Sequence, residues 1–363
     1  MRRFFLLTIL ISSYLIISCS DINNSDEPTI GYGWQSASPE LLGMNSIMLS
    51  SALNAASAKG FINSFIVIRN GKIAAEKHLN GRNANSYQSI KSVSKSFIST
   101  LVGIAISKGI MHLDQKMIDA FPEYQEFVTD TNVNSITLRH LLTMRSGIKG
   151  DEEFYSVFTN SNNWIKTILQ TPLNFTPGTR SLYSTASTHL VSGMLTKASG
   201  MSTMDFAKTN LIDPMGIVIN DWAKDPQGIY FGGNNIYMTT RNMAVLGLLY
   251  LNEGNLNGMQ IVPEEWINNS LVYSGGVGGT WGSFSEIGYG YLWWLGKVSG
   301  KKIFTAIGHG GQFVLCVPDL NLITAVNCDP FVGWDEADEQ ERAALQIIAD
   351  YVIPAVMNQN QNK

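Results

Sequence analysis

Ser64-Phe-Ile-Val-Ile-Arg69, Asn70-Gly71 and Lys72-Ile-Ala-Ala-Glu-Lys-His78 follow one another without a break, and they decide how the rest of the chain is read. Two β-rich runs joined by Asn-Gly form a hairpin, because these two residues accept the positive φ angles of a type I′ turn. A second β-rich zone lies far downstream, at 290–294, 302–306, 312–317 and 322–327. Between the two zones the spacing changes. Residues 94–108 carry Phe97, Leu101, Val102 and Ala105 at helical spacing and end at Gly109. Segments 138–144, 164–169, 188–198, 203–211 and 241–252 also read as helices, as does 339–356 with Leu345, Ile348, Ala349 and Val352. Strands at both ends with helices between them imply an α/β (α+β) fold: one antiparallel sheet assembled from N- and C-terminal pieces, flanked by helices, with a helical insertion beside it. The expected division is a sheet region from 35–92 and 286–358 and a mainly helical region from 93–285, together one unit spanning 35–358. A site is expected in the cleft between the two parts.

Composition supports one large folded unit. Of 363 residues, 45% are hydrophobic and 15% charged, which is ordinary globular usage. The net charge is −4 and no run of Lys or Arg stands out, so nothing points to nucleic acid or to an anionic membrane surface as partner.

The first residues form a separate element. Arg2-Arg3 precede an apolar stretch from Phe4 to Ile17 that is shorter than the roughly 20 residues needed to cross a bilayer. A basic start and a short apolar stretch read as a signal peptide over 1–18. It closes on Ile16-Ile17-Ser18-Cys19, which resembles the lipobox of bacterial lipoproteins and implies lipidation at Cys19. Residues 19–34 are then a polar tether, and the membrane is contacted only through the lipid anchor, on the periplasmic or outer-membrane side of a bacterial envelope. Losing Arg2 and Arg3 with the signal takes the net charge from −4 to −6. Cys316 and Cys328 flank Pro318-Asp319-Leu320-Asn321, an expected turn. Across a tight turn they do not sit opposite one another, so they are expected as buried, unpaired thiols.

Three short constellations bear on chemistry. Ser-x-x-Lys occurs at Ser92–Lys95, Ser146–Lys149 and Ser299–Lys302, but only the first opens a long apolar-periodic helix. Residues three apart on a helix share a face, which sets Lys95 one turn below Ser92. The Ser92 N–H is then among the unpaired donors at the helix start, open to a developing oxyanion. Read alone, Ser92 is equally well a helix cap with Lys95 solvated. Tyr183-Ser184-Thr185 follows Pro177-Gly178-Thr179-Arg180. A serine needs a base to become nucleophilic, and a tyrosine whose pKa is lowered by a neighbouring ammonium could share that role with Lys95. Gly308-His309-Gly310-Gly311-Gln312 enters a strand, where glycines admit close approach of a ligand and the Gln312 N–H could complete an oxyanion hole.

In this order and spacing, Ser92-Val-Ser-Lys95, Tyr183-Ser-Thr185 and His309-Gly-Gly311 resemble the three motifs of the serine β-lactamase and penicillin-binding superfamily. The nearest branch is the class C-like one, with its esterases, D-amino-acid peptidases and 6-aminohexanoate-dimer hydrolases. Segments 136–147, 225–228, 237–243, 258–266 and 289–294 are similar to that branch, and the likeness runs from about Trp34 to about Ala355. The resemblance implies acyl-enzyme chemistry without metal or cofactor, on a small-molecule or peptide substrate. Ser92 attacks a carbonyl, Lys95 and Tyr183 manage the proton, and the N–H groups of Ser92 and Gln312 hold the oxyanion. Thr185, His309, Gly310 and Gly311 are then expected at the substrate. Tyr155, Trp164 and Trp293 are candidates for lining the cleft, with ordinary packing the alternative reading of each. Two positions depart from the pattern: Thr185 stands where Asn is usual, and His309 where Lys is usual. A mostly neutral imidazole holds a β-lactam carboxylate poorly. An ester or amide is therefore expected ahead of efficient β-lactam turnover. The contrasting expectation is a catalytically silent lipoprotein on the same fold that binds or senses a ligand.

Other hydrolase designs lack their signatures. There is no Gly-x-Ser-x-Gly elbow and no Walker sequence, and His78, His112, His140, His189 and His309 are scattered without a His-Glu-x-x-His pattern.

Overall fold

The computed structural model describes residues 31–276 and 278–356, so the leader and Cys19 lie outside the described residues. The chain enters through α1 (Ser46–Ser57), whose cap Asn45 accepts from the Met48 N–H. The expected hairpin follows as β1 (Ile62–Arg69) and β2 (Lys72–His78), with Asn70 at φ 51° and Gly71 at φ 73° in the turn. Strand β3 (Gln88–Ser89) leads through a 3-10 turn at Lys91–Val93 into α2 (Ser94–Ser107). The helical part continues with α3 (Leu138–Leu142), α4 (Asp151–Thr159), α5 (Trp164–Gln170), α6 (Thr185–Ser199), α7 (Thr203–Ala207) and α8 (Asp213–Met215). Strands β4 (Asp221–Trp222) and β5 (Ile236–Met238) join β3 in a small sheet of order β3-β5-β4. After α9 (Thr240–Leu251) come the short pair β6 (Asn255–Leu256) and β7 (Met259–Gln260), then α10 (Glu264–Ser270).

The C-terminal strands are β8 (Thr280–Trp281), β9 (Phe284–Tyr289), β10 (Trp294–Val298), β11 (Lys301–Gly308), β12 (Gln312–Val317) and β13 (Leu322–Cys328), followed by α11 (Trp334–Ile347). With β1 and β2 they form one antiparallel sheet of order β2-β1-β13-β12-β11-β10-β9-β8. The last strand thus pairs with the first, and the N-terminal hairpin completes a sheet built mostly from the C-terminus. The strand expected at 290–294 is instead a connection. Strand β9 stops at Tyr289, the Gly290 N–H bonds the Trp293 carbonyl at 2.9 Å, and Leu292 sits at φ 60°. Leu292 in that left-handed conformation breaks the extended backbone that an unbroken strand requires.

The sheet is covered on both faces. Phe313, Leu315 and Val317 of β12 pack with Leu53 of α1 and Leu345 of α11. Val314 and Cys316, pointing the other way, pack with Val245 and Leu248 of α9 and with Phe97 and Leu101 of α2. Two-sided burial is why β12 and β13 are continuous apolar runs rather than alternating ones. Cys316 faces Ile323 and Cys328 faces Ile62, and both thiols are buried and free. Among the described residues, no helix is long and apolar enough to cross a membrane.

Candidate active site

The start of α2 fixes the first two residues of the site. Lys91 is held at φ 48°, and the chain passes through its 3-10 turn directly into the helix, leaving Ser92 and Lys95 one turn apart. Lys95 Nζ lies 2.8 Å from Ser92 Oγ, 2.8 Å from Thr185 Oγ1 and 2.8 Å from the Gly233 carbonyl. An ammonium has three donors, so all are matched, and every partner is neutral. Lys95 is 1% exposed. Burial lowers its pKa to about 8, against the opposing charge of Asp151. Gly233 is required at close quarters: a Cβ there would lie 3.2 Å from Lys95 Nζ and 2.4 Å from Thr188 Oγ1. The other two Ser-x-x-Lys sequences are elsewhere. Ser146 bonds Ser187 inside the core, and Ser299 turns the chain between β10 and β11.

Thr185 opens α6 and is buried. Its hydroxyl accepts from Lys95 and donates to Asp151 Oδ2 at 2.6 Å, while its N–H donates to Asp151 Oδ1 at 2.6 Å. The residue expected to contact substrate is therefore a bridge between a lysine and a carboxylate. Sequence reasoning missed Asp151. Its one signal is the run Asp151-Glu152-Glu153, which reads as the acidic first turn of a helix, and α4 does begin there.

Tyr183 stands beside this pair with its ring under Lys95 Nζ, 4.8 Å from the centroid. The lowered pKa expected for Tyr183 is reversed. Burial raises it, the charge of Asp151 adds to the rise, and contact with the Ser92 hydroxyl opposes it. The ammonium lies over the face of the ring, where it interacts with the π-system, instead of against the hydroxyl. Tyr183 also stacks on Trp294, with centroids 5.7 Å apart and planes 21° apart.

These side chains open into a cleft of about 760 Å³, lined among others by Ser92, Asp151, Tyr155, Tyr183, Thr185 and Asn234. Tyr155 is where it was expected, its hydroxyl accepting from Asn234 Nδ2 at 3.0 Å. Trp164 and Trp293 are not. Trp164 packs edge-on against Phe158, Phe231 and His189 in the helical core. Trp293 is fully buried against Tyr250 and Phe304, because it belongs to the connection before β10. The tryptophans in the cleft wall are Trp281, Trp294 and Trp334.

On the far wall, His309 Nε2 lies 2.9 Å from the Val332 carbonyl, and its ring meets Trp334 edge-on at 5.0 Å. Gly310 and Gly311 make the turn from β11 to β12 with φ of 80° and 93°. The Gln312 side chain is committed to the core, donating to the Cys328 carbonyl at 3.1 Å and accepting from Asn327 Nδ2 at 2.7 Å. Gln312 is fully buried and is not among the residues that line the cleft. Among the described residues no group of three or more His, Cys, Asp and Glu side chains is arranged to hold a metal ion.

Comparison with known proteins gives the family and the fold. The 6-aminohexanoate-dimer hydrolase of Paenarthrobacter ureafaciens is 24% identical over 321 residues, covering 78% of this chain and 75% of that protein. A solved structure from Bacillus anthracis, provisionally assigned as a 6-aminohexanoate-dimer hydrolase, superposes with a TM-score of 0.70 at 19% identity over 93% of this chain and 91% of that one. A D-stereospecific amidohydrolase from Streptomyces superposes with a TM-score of 0.65 at 16% identity over 84% of this chain and 98% of that one. The Beta-lactamase family model matches residues 63–347, from the first strand to the last helix, and the chain belongs to the beta-lactamase family of hydrolases.

Proposed function

We propose that the protein is a serine hydrolase that cleaves an amide or ester through an acyl-enzyme at Ser92. The observation that supports this most strongly is the 2.8 Å contact between Ser92 Oγ and a buried Lys95 whose ammonium loses its proton near pH 8. Neutral Lys95 takes the hydroxyl proton as Ser92 Oγ bonds to the carbonyl carbon, and the C=O electron pair moves to oxygen. The backbone N–H of Ser92 holds that oxyanion. When the pair returns, the bond to nitrogen or oxygen breaks and Tyr183 gives its proton to the leaving group. The raised pKa of Tyr183 keeps it protonated for this donor role, and the phenolate left behind stands beside the Lys95 ammonium. Water next adds to the acyl carbon as the Tyr183 phenolate takes its proton, and when the bond to Oγ breaks Lys95 returns its proton to Ser92.

Two features favour an amide or ester over a β-lactam. His309 stands where the pattern has Lys and its Nε2 is engaged by the Val332 carbonyl, and the named relatives are a dimer hydrolase and an amidohydrolase. The Cys19 motif supports a tethered enzyme at the bacterial envelope, which labelling with a radioactive fatty acid would detect and Cys19→Ala would abolish. The catalytic reading is tested by turnover of p-nitrophenyl esters and anilides by wild type, Ser92→Ala and Lys95→Ala. Turnover lost in both variants is the expected result. Turnover that survives Ser92→Ala overturns the assignment, and a stoichiometric adduct that never turns over favours a ligand sensor.

A further inference from the structure

The turn between β11 and β12 is held in an unusual way. Gly310 and Gly311 are consecutive left-handed residues, and glycine pairs are conformationally loose unless something fixes them. Two adjacent side chains of α11 do so. Glu341 Oε1 accepts from the Gly310 N–H at 2.9 Å and also takes the Gly311 N–H. Gln340, with its amide nitrogen turned inward, donates to the Gly310 carbonyl at 2.7 Å and to the Asp329 carbonyl at 3.1 Å. Both main-chain polar groups of Gly310 are thus gripped from one helix turn. The Gly311 N–H also reaches the Gly308 carbonyl at 3.2 Å, which ties the turn to the pairing of Gly308 with Gln312.

We propose that Glu341 is a positioning residue: by clamping the Gly310–Gly311 turn it fixes the end of β11, where His309 enters the cleft, against the carbonyl attacked by Ser92. The inference rests on the nucleophile assignment made above. Glu341 lines the same cleft as Ser92 and Tyr183, so a carboxyl is kept there despite the cost of burying it. Burial raises its pKa to about 7, with the Gly310 N–H opposing the rise and the charge of Asp338 adding to it. A protonated carboxyl still offers its carbonyl oxygen to an N–H, so the clamp needs an acceptor at this place and not a charge.

The test is the rate at which a fluorophosphonate labels the protein. Ser92 Oγ bonds to phosphorus, the P–F bond breaks and fluoride leaves, the hydroxyl proton passes to Lys95, and the phosphoryl oxygen takes the oxyanion position. Glu341→Gln is expected to label within about threefold of wild type. Glu341→Ala is expected to lose about 10- to 100-fold in the maximal labelling rate, with the apparent inhibitor affinity changed less than about threefold. If Glu341→Ala does not fold, Glu341→Asp keeps the charge a methylene short of Gly310 and is expected to show the same loss. An alanine variant within twofold of wild type overturns the proposal, as does a glutamine variant that falls as far as alanine. Wild type that is not labelled at Ser92 sinks the nucleophile assignment and this inference with it, and Ser92→Ala identifies that case.

Discussion

Asp151 grips Thr185 with both carboxylate oxygens, one on its N–H and one on its hydroxyl, each at 2.6 Å. The hydroxyl proton is therefore committed to Asp151, and the Thr185 oxygen must present a lone pair to Lys95. This orients the lysine from a distance without placing a carboxylate directly on it. A direct ion pair would stabilise the charged form and remove the base.

Thr185→Val keeps the shape and deletes the lone pair. We expect kcat to fall about 10- to 100-fold, with a loss of about 1–3 kcal/mol in stability from the unpaired Lys95 donor and Asp151 acceptor, measured by steady-state hydrolysis beside calorimetry. A fall in stability without a fall in kcat contradicts the bridge.

Asp151→Asn removes the charge that raises the Lys95 pKa. Activity that needs neutral Lys95 rises with pH through about 8 in wild type. In Asp151→Asn that acid limb moves to lower pH, although the plateau also falls because an amide offers one acceptor where two are used. A limb that stays in place or moves up contradicts the coupling.

Lys95 also ties stability to pH. Its folded pKa of about 8 lies below its ordinary 10.5, so between these values the unfolded chain binds the extra proton. Stability from this group therefore rises with pH through that window and is flat on either side, by roughly 3 kcal/mol in total. Urea denaturation of wild type and Lys95→Met isolates it. The wild type should gain on the variant between about pH 8 and 10.5, and parallel curves contradict the burial argument.

Gly233→Ala puts a methyl into the space taken by Lys95 Nζ, Thr188 Oγ1 and Thr185 Cγ2, the last at 2.7 Å. We expect a loss of about 1–3 kcal/mol in stability and more than about tenfold in kcat. Wild-type kinetics in this variant contradict the packing around Lys95.

The two neighbouring tryptophans separate structure from chemistry. Trp293→Ala empties a fully buried site and should cost about 3–5 kcal/mol. Trp294→Leu removes the ring stacked on Tyr183 and should change kinetics more than stability. Denaturation and hydrolysis assays on both variants separate the two roles.

That pair also shows where the sequence was legible and where it was not. The hairpin at Asn70-Gly71, the strand at Gln312–Val317 and the helix behind Ser92 were readable because turn chemistry and apolar periodicity are local signals. Which of Trp293 and Trp294 faces the cleft depends on where β10 begins, and one residue of register exchanges them. Helix α1 escaped because its core face mixes Ala52 and Ala56 with Leu49 and Leu53 among serines, so the apolar contrast is weak. Ser92, Lys95 and Tyr183 were visible as types at a recognisable spacing. Asp151 and Glu341 were not, since each acts across the fold on a residue distant in sequence, Thr185 and Gly310.

The central claim is that a covalent bond forms at Ser92, and peptide mapping by mass spectrometry tests it most directly. The protein is mixed with a slowly hydrolysed ester, quenched in acid within the first turnover and digested. The account predicts the acyl mass on the peptide containing Ser92, absent from Ser92→Ala and strongly reduced in Lys95→Ala. Product release with no adduct on that peptide, or an adduct that persists in Ser92→Ala, contradicts it.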